Sequence, residues 1–366
     1  MKIKKLFQSI FKKFFQIIFK LYYGKLKLIE INNGNVIKQH IDYISCNKNT
    51  YFIDKNIYKI SNGRIYTDLV EHVAIIKDNK VLPNICYQQV NGEHKNAEFN
   101  TVFKVGTPRI IKKLNGKVLS LVQGASGNNY FHFLFDVVTK IILCDKLIRL
   151  KYIDNYYLPG CSDWQKKILS TFDISEDRMI DSRVVRHIKA NEVLAIEHPW
   201  YTSGFVQEQI KNLPEWIIHL LREKFLNYAK KFKANDKIFI DRSDSQYSHC
   251  KLENNEEIIN YLSEKGFQSY QVSKLDFFEQ IYLFNNAKII IGPHGAAFTN
   301  IIFSKVGLKI VEFVPYNHKT VKCEKISNIL GFNYKKIKLK NINNFSKENG
   351  DMRLDLNDLE QIILSF

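Results

Sequence analysis

Residues 288–314 read KIIIGPHGAAFTNIIFSKVGLKIVEFV. Lys288-Ile289-Ile290-Ile291 is short, apolar and rich in β-branched residues, and Gly292-Pro293 ends it. Such a run is the signature of a strand buried on both faces of a parallel sheet. The loop Gly292-Pro293-His294-Gly295-Ala296-Ala297 sets small residues on both sides of one histidine. Phe298–Phe303 then reads as a helix, within 297–304, and 309–314 as the next strand. The unit is strand–loop–helix–strand, with the loop at the carboxyl end of a strand, where open α/β sheets bind ligands. Glycine and alanine there let a backbone approach a ligand closely. A helix amino terminus behind the loop offers N–H groups and a positive dipole to a phosphate. The plainer reading is a structural turn in which His294 is a satisfied loop histidine.

Outward from this stretch the alternation continues. Strands are predicted at 237–241, 267–271, 288–291, 309–314 and 335–339. Helices are predicted at 254–265, 274–286, 297–304 and 356–364, with Ser273 and Asp276 at capping-box spacing before the second of them. Strands that alternate with helices make a parallel, doubly wound α/β sheet. Upstream, the strand 117–122 leads into the small-residue loop Gln123–Asn129 and a helix from about Tyr130 to Leu147. His132 and Asp136 lie four apart on that helix, hence on one face. A carboxylate beside an imidazole near a helix start is a proton acceptor or its orienter, although capping and packing pairs also take this form. Residues 151–236 carry a strand at 154–159, a helix at 163–172, a strand at 192–196, the loop His198–Gly204 and a helix from Pro214 to about Phe232. The polar stretch 230–236 marks a domain boundary. Residues 25–120 read as short strands and hairpins, with turns at Asn32–Asn35, Ser61-Asn62-Gly63, Lys77–Lys80 and Lys112–Gly116.

These blocks together resemble glycosyltransferase family 61, which includes plant xylosyl- and arabinosyltransferases, the extracellular O-GlcNAc transferase and bacterial capsule enzymes. The carriers are IIGPHGAAFTNIIF and IVEF, the Lys237–Ser243 block before Asn254-Asn255-Glu256-Glu257, and Asn129-Tyr130-Phe131-His132-Phe133-Leu134-Phe135-Asp136. The resemblance spans about residues 120–315. It implies a GT-B architecture, two Rossmann-like α/β domains facing a cleft, with an acceptor-side domain at 25–235 and a nucleotide-sugar domain at 236–366. It implies an inverting mechanism. On that reading Asp136 is the first choice of base, with His132 as its orienter or alternative. Arg242 and His294-Gly295 hold the donor diphosphate, Asn300 shapes the loop or touches the donor, and Glu312 accepts from ribose hydroxyls. The family's further arginine after Arg242 is missing; Lys251 stands in that region as a point charge without the bidentate fork. Tyr-Phe-His is followed by Phe133 where tryptophan is common. No D-x-D lies at a strand end, so a metal-independent enzyme without cofactors is expected, its leaving group stabilised by protein groups.

The chain has 366 residues and a formal net charge of +17, from 54 Lys+Arg against 37 Asp+Glu. Part of this excess is compositional, the chain being rich in Lys, Asn and Ile; the rest suits a nucleotide, an anionic membrane surface or a charged glycan. Six cysteines without C-x-x-C spacing read as small buried thiols rather than a zinc or redox site. Residues 1–24, MKIKKLFQSIFKKFFQIIFKLYYG, repeat apolar residues at three-and-four spacing, with Lys5, Lys12, Lys13 and Lys20 off that stripe. The lysine pair interrupts any span of about 20 apolar residues, and no cleavage site is legible. A basic amphipathic helix lying on an anionic leaflet is expected. The function expected from all of this is transfer of a sugar from a nucleotide-sugar donor, of UDP type, to a glycan or lipid-linked acceptor in capsule or lipopolysaccharide synthesis. Its place would be the cytoplasmic, inner face of the membrane. The rivals are a non-catalytic membrane-associated scaffold on a transferase fold, and a basic polyanion binder, which lacks any nucleic-acid motif.

Overall fold

A computed structural model describes residues 2–29, 36–46, 48–201, 203–244, 249–342 and 350–365, with the backbone alone for 2–9 and 125. The turn expected at Asn32–Asn35 lies outside the described residues. The chain divides into two compact units, Met1–Asn212 and Leu213–Phe366. The division precedes the expected boundary at 235/236 because the helix Glu215–Phe225 belongs with the second unit. Phe225 packs edge-on against Phe277 and Phe303, at 5.1 and 6.3 Å between ring centroids. Arg222 donates to the carbonyls of Ile302 and Ser304.

The first unit begins with the helix Lys2–Tyr23, along which Ile10, Phe11, Phe14, Phe15, Ile17, Ile18, Leu21 and Tyr22 are all solvent-exposed. Among the described residues no helix is long and apolar enough to cross a membrane. The sheet that follows is mixed. Four parallel strands lie in the order Met179–Asp181, Asn155–Leu158, Lys112–Ser120, His187–Ile196. Antiparallel strands, Asn49–Ser61 and Arg64–Leu69 among them, pair with His187–Ile196 and extend the sheet. The Asn-Gly pair at 115–116, expected as a turn, instead sits inside the strand Lys112–Ser120. There it bulges: Leu114 faces Ala190 and Lys117 faces Glu192, and Gly116 takes the positive φ of 78° that the bulge requires. In chain order the parallel strands stand 3-2-1-4. The direction of winding therefore reverses between Lys112–Ser120 and His187–Ile196, and ligands bind at the carboxyl ends of such a strand pair.

The second unit is an all-parallel, five-stranded sheet in the chain order 2-1-3-4-5: Gln268–Tyr270, Lys237–Ile240, Ile289–Pro293, Lys309–Pro315, Asn333–Leu339. Its central strands are mostly apolar, the buried Glu312 excepted, as strands covered by helices on both faces are. Phe239, Ile291, Val311 and Phe313 pack with Ile258, Leu262, Leu359 and Ile362 in one buried cluster. The switch point falls between Lys237–Ile240 and Ile289–Pro293. Gly292 permits the closeness of these strands: a Cβ there would lie 2.9 Å from Ile240. The segment expected as a helix at 297–304 winds as a tighter 3-10 helix over Ala296–Phe303, with Phe298 N–H donating to the Gly295 carbonyl. The helix Phe277–Asn286 is capped by Asp276 and Glu279, one turn later than the Ser273/Asp276 spacing suggested. The α/β class expected from the sequence is what folds.

Candidate functional sites at the two sheet switch points

In the first unit the helix bearing His132 and Asp136 opens with one α-turn, Tyr130–His132, capped by the Asn129 side chain. It widens to a π-helix over Phe133–Val138 and returns to α-form over Thr139–Ile148. Wide turns of this kind collect at functional sites. His132 Nδ1 and Asp136 Oδ2 are 2.9 Å apart. The other carboxylate oxygen accepts from Trp200 Nε1 at 2.6 Å. His198 Nε2 stands 3.7 Å from that same oxygen. His198 Nδ1 accepts from the Trp200 and Tyr201 backbone N–H groups, which puts its proton on Nε2, toward Asp136. His198 and Trp200 come from the loop after strand His187–Ile196, so the cluster lies at the switch point.

Asp136 is completely buried. Burial works to raise its pKa, but the charges and hydrogen bonds of His132 and His198 outweigh it and hold the carboxyl below the ordinary range. It is therefore a carboxylate at neutral pH, and no face of it meets solvent. His132, 7% exposed, donates from Nδ1 to that carboxylate, and its Nε2 hydrogen-bonds no described residue. Of the pair expected from sequence, His132 thus keeps a ring nitrogen without a hydrogen bond to any described residue, while Asp136, fully buried, is engaged by its neighbours. Burial pushes His198 down to about 3 against the opposing charge of Asp136. Burial also lowers Lys140, one turn beyond Asp136, to about 8.

Gln123, first residue of the small loop, is 1% exposed, and neither of its amide atoms has a hydrogen-bond partner. Next to it, Gly124 lies under the Tyr87 hydroxyl, leaving no room for a side chain. Tyr87 in turn bonds the Tyr201 hydroxyl at 3.1 Å. Reasoning from sequence missed Gln123, His198 and Trp200. The signal available was position alone, each lying just past the end of a strand in the parallel half.

In the second unit Arg242 follows strand Lys237–Ile240 and His294-Gly295 follow strand Ile289–Pro293, so the structure brings them together. The Arg242 guanidinium packs directly on Gly295, occupying the place a Cβ would take. The loop holding Arg242 is anchored by Asp241, which accepts from Ser243 N and Oγ, Asn255 and Gln271, all at 2.8–2.9 Å. Those bonds occupy Asp241 as a loop anchor. His294 Nδ1 is 2.5 Å from Glu312 Oε1, and its Nε2 hydrogen-bonds no described residue. Lys322 donates to the Gly295 carbonyl at 3.2 Å, and the His318 ring lies 4.4 Å from that of His294. Both were missed from sequence, since each lies beyond the strand–loop–helix unit.

Glu312 has a different position from the one expected. Strand register sets it opposite Gly292, two residues short of His294 and wholly buried. Its oxygens are taken by His294, by Tyr334 at 2.6 Å and by the Cys323 thiol at 3.2 Å. It orients His294 rather than presenting a carboxylate to a ribose. Burial acts to raise the Glu312 pKa, and His294, Tyr334 and Lys322 together bring it below the usual range. Burial lowers the His294 pKa against the pull of Glu312, with Lys322 and Arg242 adding to the lowering. The pair is therefore carboxylate and neutral imidazole. Asn300 is buried and donates to Gln280 at 3.0 Å. Lys251 is half-buried; its backbone N–H donates to Asp351 Oδ1 at 3.1 Å. Among the described residues no group of three His, Cys, Asp or Glu side chains is arranged to hold a metal ion.

A family model described as Glycosyltransferase 61 matches residues 130–311, from the helix of His132 and Asp136 to the strand Lys309–Pro315. No curated protein matches the chain.

Proposed function

We propose that the chain, which belongs to glycosyltransferase family 61 and is an enzyme of the transferase class, moves a sugar from a UDP-type nucleotide donor to a glycan or lipid-linked hydroxyl with inversion. The observation that carries this reading is the contact of Arg242 with Gly295 at the switch point of a 2-1-3-4-5 parallel sheet. A guanidinium fork beside an open backbone loop suits a diphosphate. His294 joins it as imidazolium: its Nδ1 proton is committed to Glu312, so only a second proton on Nε2 lets it donate to phosphate oxygen. Lys322 and Lys251 add positive charge on this side. Metal-independent stabilisation of the leaving group by these residues is part of the proposal.

The first unit takes the acceptor. His132 Nε2 removes the acceptor hydroxyl proton as the acceptor oxygen bonds to the anomeric carbon and the bond to the diphosphate oxygen breaks. The nucleoside diphosphate leaves with the bonding pair, and Asp136 stabilises the imidazolium that forms. Gln123 offers its amide to another acceptor hydroxyl. The two units act as the halves of a GT-B enzyme, donor on the second and acceptor on the first. The basic helix Lys2–Tyr23 rests on an anionic leaflet, as its exposed phenylalanines and isoleucines favour, which suits capsule or lipopolysaccharide synthesis at the inner face of the membrane.

The test is a thermal-shift and calorimetric screen of the full chain against UDP, GDP, CMP and their common sugars, with and without EDTA. Saturable stabilisation by one nucleotide, unchanged by EDTA and lost in Arg242→Ala, is expected. A folded sample that responds to none of them sinks the donor assignment and leaves the scaffold reading.

A further inference from the structure

Three aliphatic side chains of the first unit stand well exposed: Ile110 at 81%, Val184 at 80% and Leu69 at 58%. Single exposed aliphatics are ordinary. These three stand on separate segments gathered around one carboxylate. Asp68 Oδ1 takes Arg109 at 3.4 Å and Arg186 at 3.2 Å, and the Asp68 carbonyl accepts from Arg186 at 2.9 Å. Arg186 also donates to the Arg183 carbonyl at 3.4 Å. Leu69, Ile110 and Val184 are the chain neighbours of Asp68, Arg109 and Arg183, so the same bonds bring the three backbone segments that bear them close together.

The N-terminal helix roots in the same place. The Ile111 N–H donates to the Tyr23 hydroxyl at 3.2 Å, and the Tyr23 ring meets that of His187 at 5.2 Å. The last turn of the helix leaves Leu21 and Tyr22 about four-fifths exposed. Arg109, Arg183, Arg186, Lys112 and Lys113 give the surroundings a positive balance. Asp68 and Asp181 pair with three of these arginines, and Glu71 stands near Asp68, so the five basic residues outnumber the carboxylates around them by two.

We propose that this surface is a second lipid contact, which lays the first unit on an anionic bilayer beside the helix. The proposal rests on the membrane reading of the helix given above. Aliphatic tips ringed by arginines fit the interface of an anionic leaflet, where the tips enter the headgroup layer and the guanidinium groups meet phosphate. A second copy of the chain is a poorer occupant, since it would bring a like charge of +17 against this one.

Vesicle flotation with the full chain tests it, using phosphatidylcholine vesicles with and without about one-third phosphatidylglycerol, a share that gives a strongly anionic surface. Wild type is expected to float with the anionic vesicles and not the neutral ones. The Ile110→Ser/Val184→Ser pair, changed where nothing is packed, is expected to lower the partition about tenfold while leaving thermal stability and nucleotide binding unchanged. A control pair in the second unit, Val306→Ser/Tyr316→Ser, starts from side chains also largely exposed. A loss in the test pair no larger than in the control overturns the platform while leaving the helix reading standing. Wild type that floats with neither vesicle overturns both. Self-association of wild type that the test pair abolishes would make this a contact between copies and overturn the lipid assignment.

Discussion

Replacing Asp136 with asparagine tests the centre of the first-unit site without any substrate. The carboxylate accepts one hydrogen bond from Trp200 at 2.6 Å and one from His132 at 2.9 Å. Bonds to a charged acceptor are worth about 1.5–3 kcal/mol each. The amide keeps one as a neutral bond of roughly 0.5–1.5 kcal/mol and turns its NH2 toward the other donor, which is left unmet. That loss is on the order of 2–4 kcal/mol. Against it, removing a buried charge returns a desolvation cost of several kcal/mol. The direction of the Asp136 pKa decides which wins. It is held low although the group is fully buried, so its partners favour the charged form by more than burial disfavours it. Asp136→Asn should therefore melt lower, by an amount bounded at roughly 4–16 °C for a unit of this size.

The pH window follows from the same shift. A carboxyl whose folded pKa is depressed contributes stability that is complete above its unfolded pKa of about 3.9 and is lost as pH falls through the folded pKa. The gap between wild type and variant should thus be the same at pH 7 and pH 5 and close only in stronger acid. Differential scanning calorimetry at the two pH values measures it. A variant that melts at or above wild type at pH 7 would refute the reasoning, because it would mean that burial dominates and the native group is protonated.

Other expectations are separable from this one. His132→Gln should lower the turnover of sugar transfer by about 10²–10⁴ while leaving nucleotide affinity unchanged by calorimetry; equal activity would return the base role to another group. Gly295→Ala should leave the melting temperature nearly unchanged, since φ there is −179° and no backbone strain arises, yet its Cβ would stand 2.7 Å from Arg242 Cζ. Displacing that guanidinium should weaken nucleotide binding tenfold or more, and unaltered affinity would remove Arg242 from the donor site. Nucleotide binding should also take up a proton at His294, which faces Glu312, Arg242, Lys322, His249 and His318. Affinity should then fall as pH rises through the imidazole's pKa in the complex, and binding heats should vary with buffer in wild type but not in His294→Gln. Heats that show no difference between the two proteins would exclude His294 as the proton acceptor.

Much of the second unit was legible in the chain itself. The alternation of strand and helix patterns, apolar β-branched runs and Gly-Pro punctuation determined five parallel strands and the loop after Ile291. These are local properties, and Arg242 and His294 could be named as candidates because each closely follows the end of a strand. The pairing of His132 with Asp136 was legible for the same reason, being set by helical spacing. Roles were another matter. Whether Glu312 faces a ligand or the interior depends on strand register, which set it opposite Gly292 and under His294. Whether Asp136 or His132 is the reachable base depends on Trp200 and His198, some sixty residues downstream and brought in by a neighbouring strand. The Glu215–Phe225 helix joined the second unit because Phe225 found Phe277 and Phe303 there, a choice of partner that no local pattern encodes. Spacing along the chain determined which side chains stand at strand ends. Burial and register, which exist only once distant strands pair, decided which of those groups can meet a ligand and which are spent on holding the others.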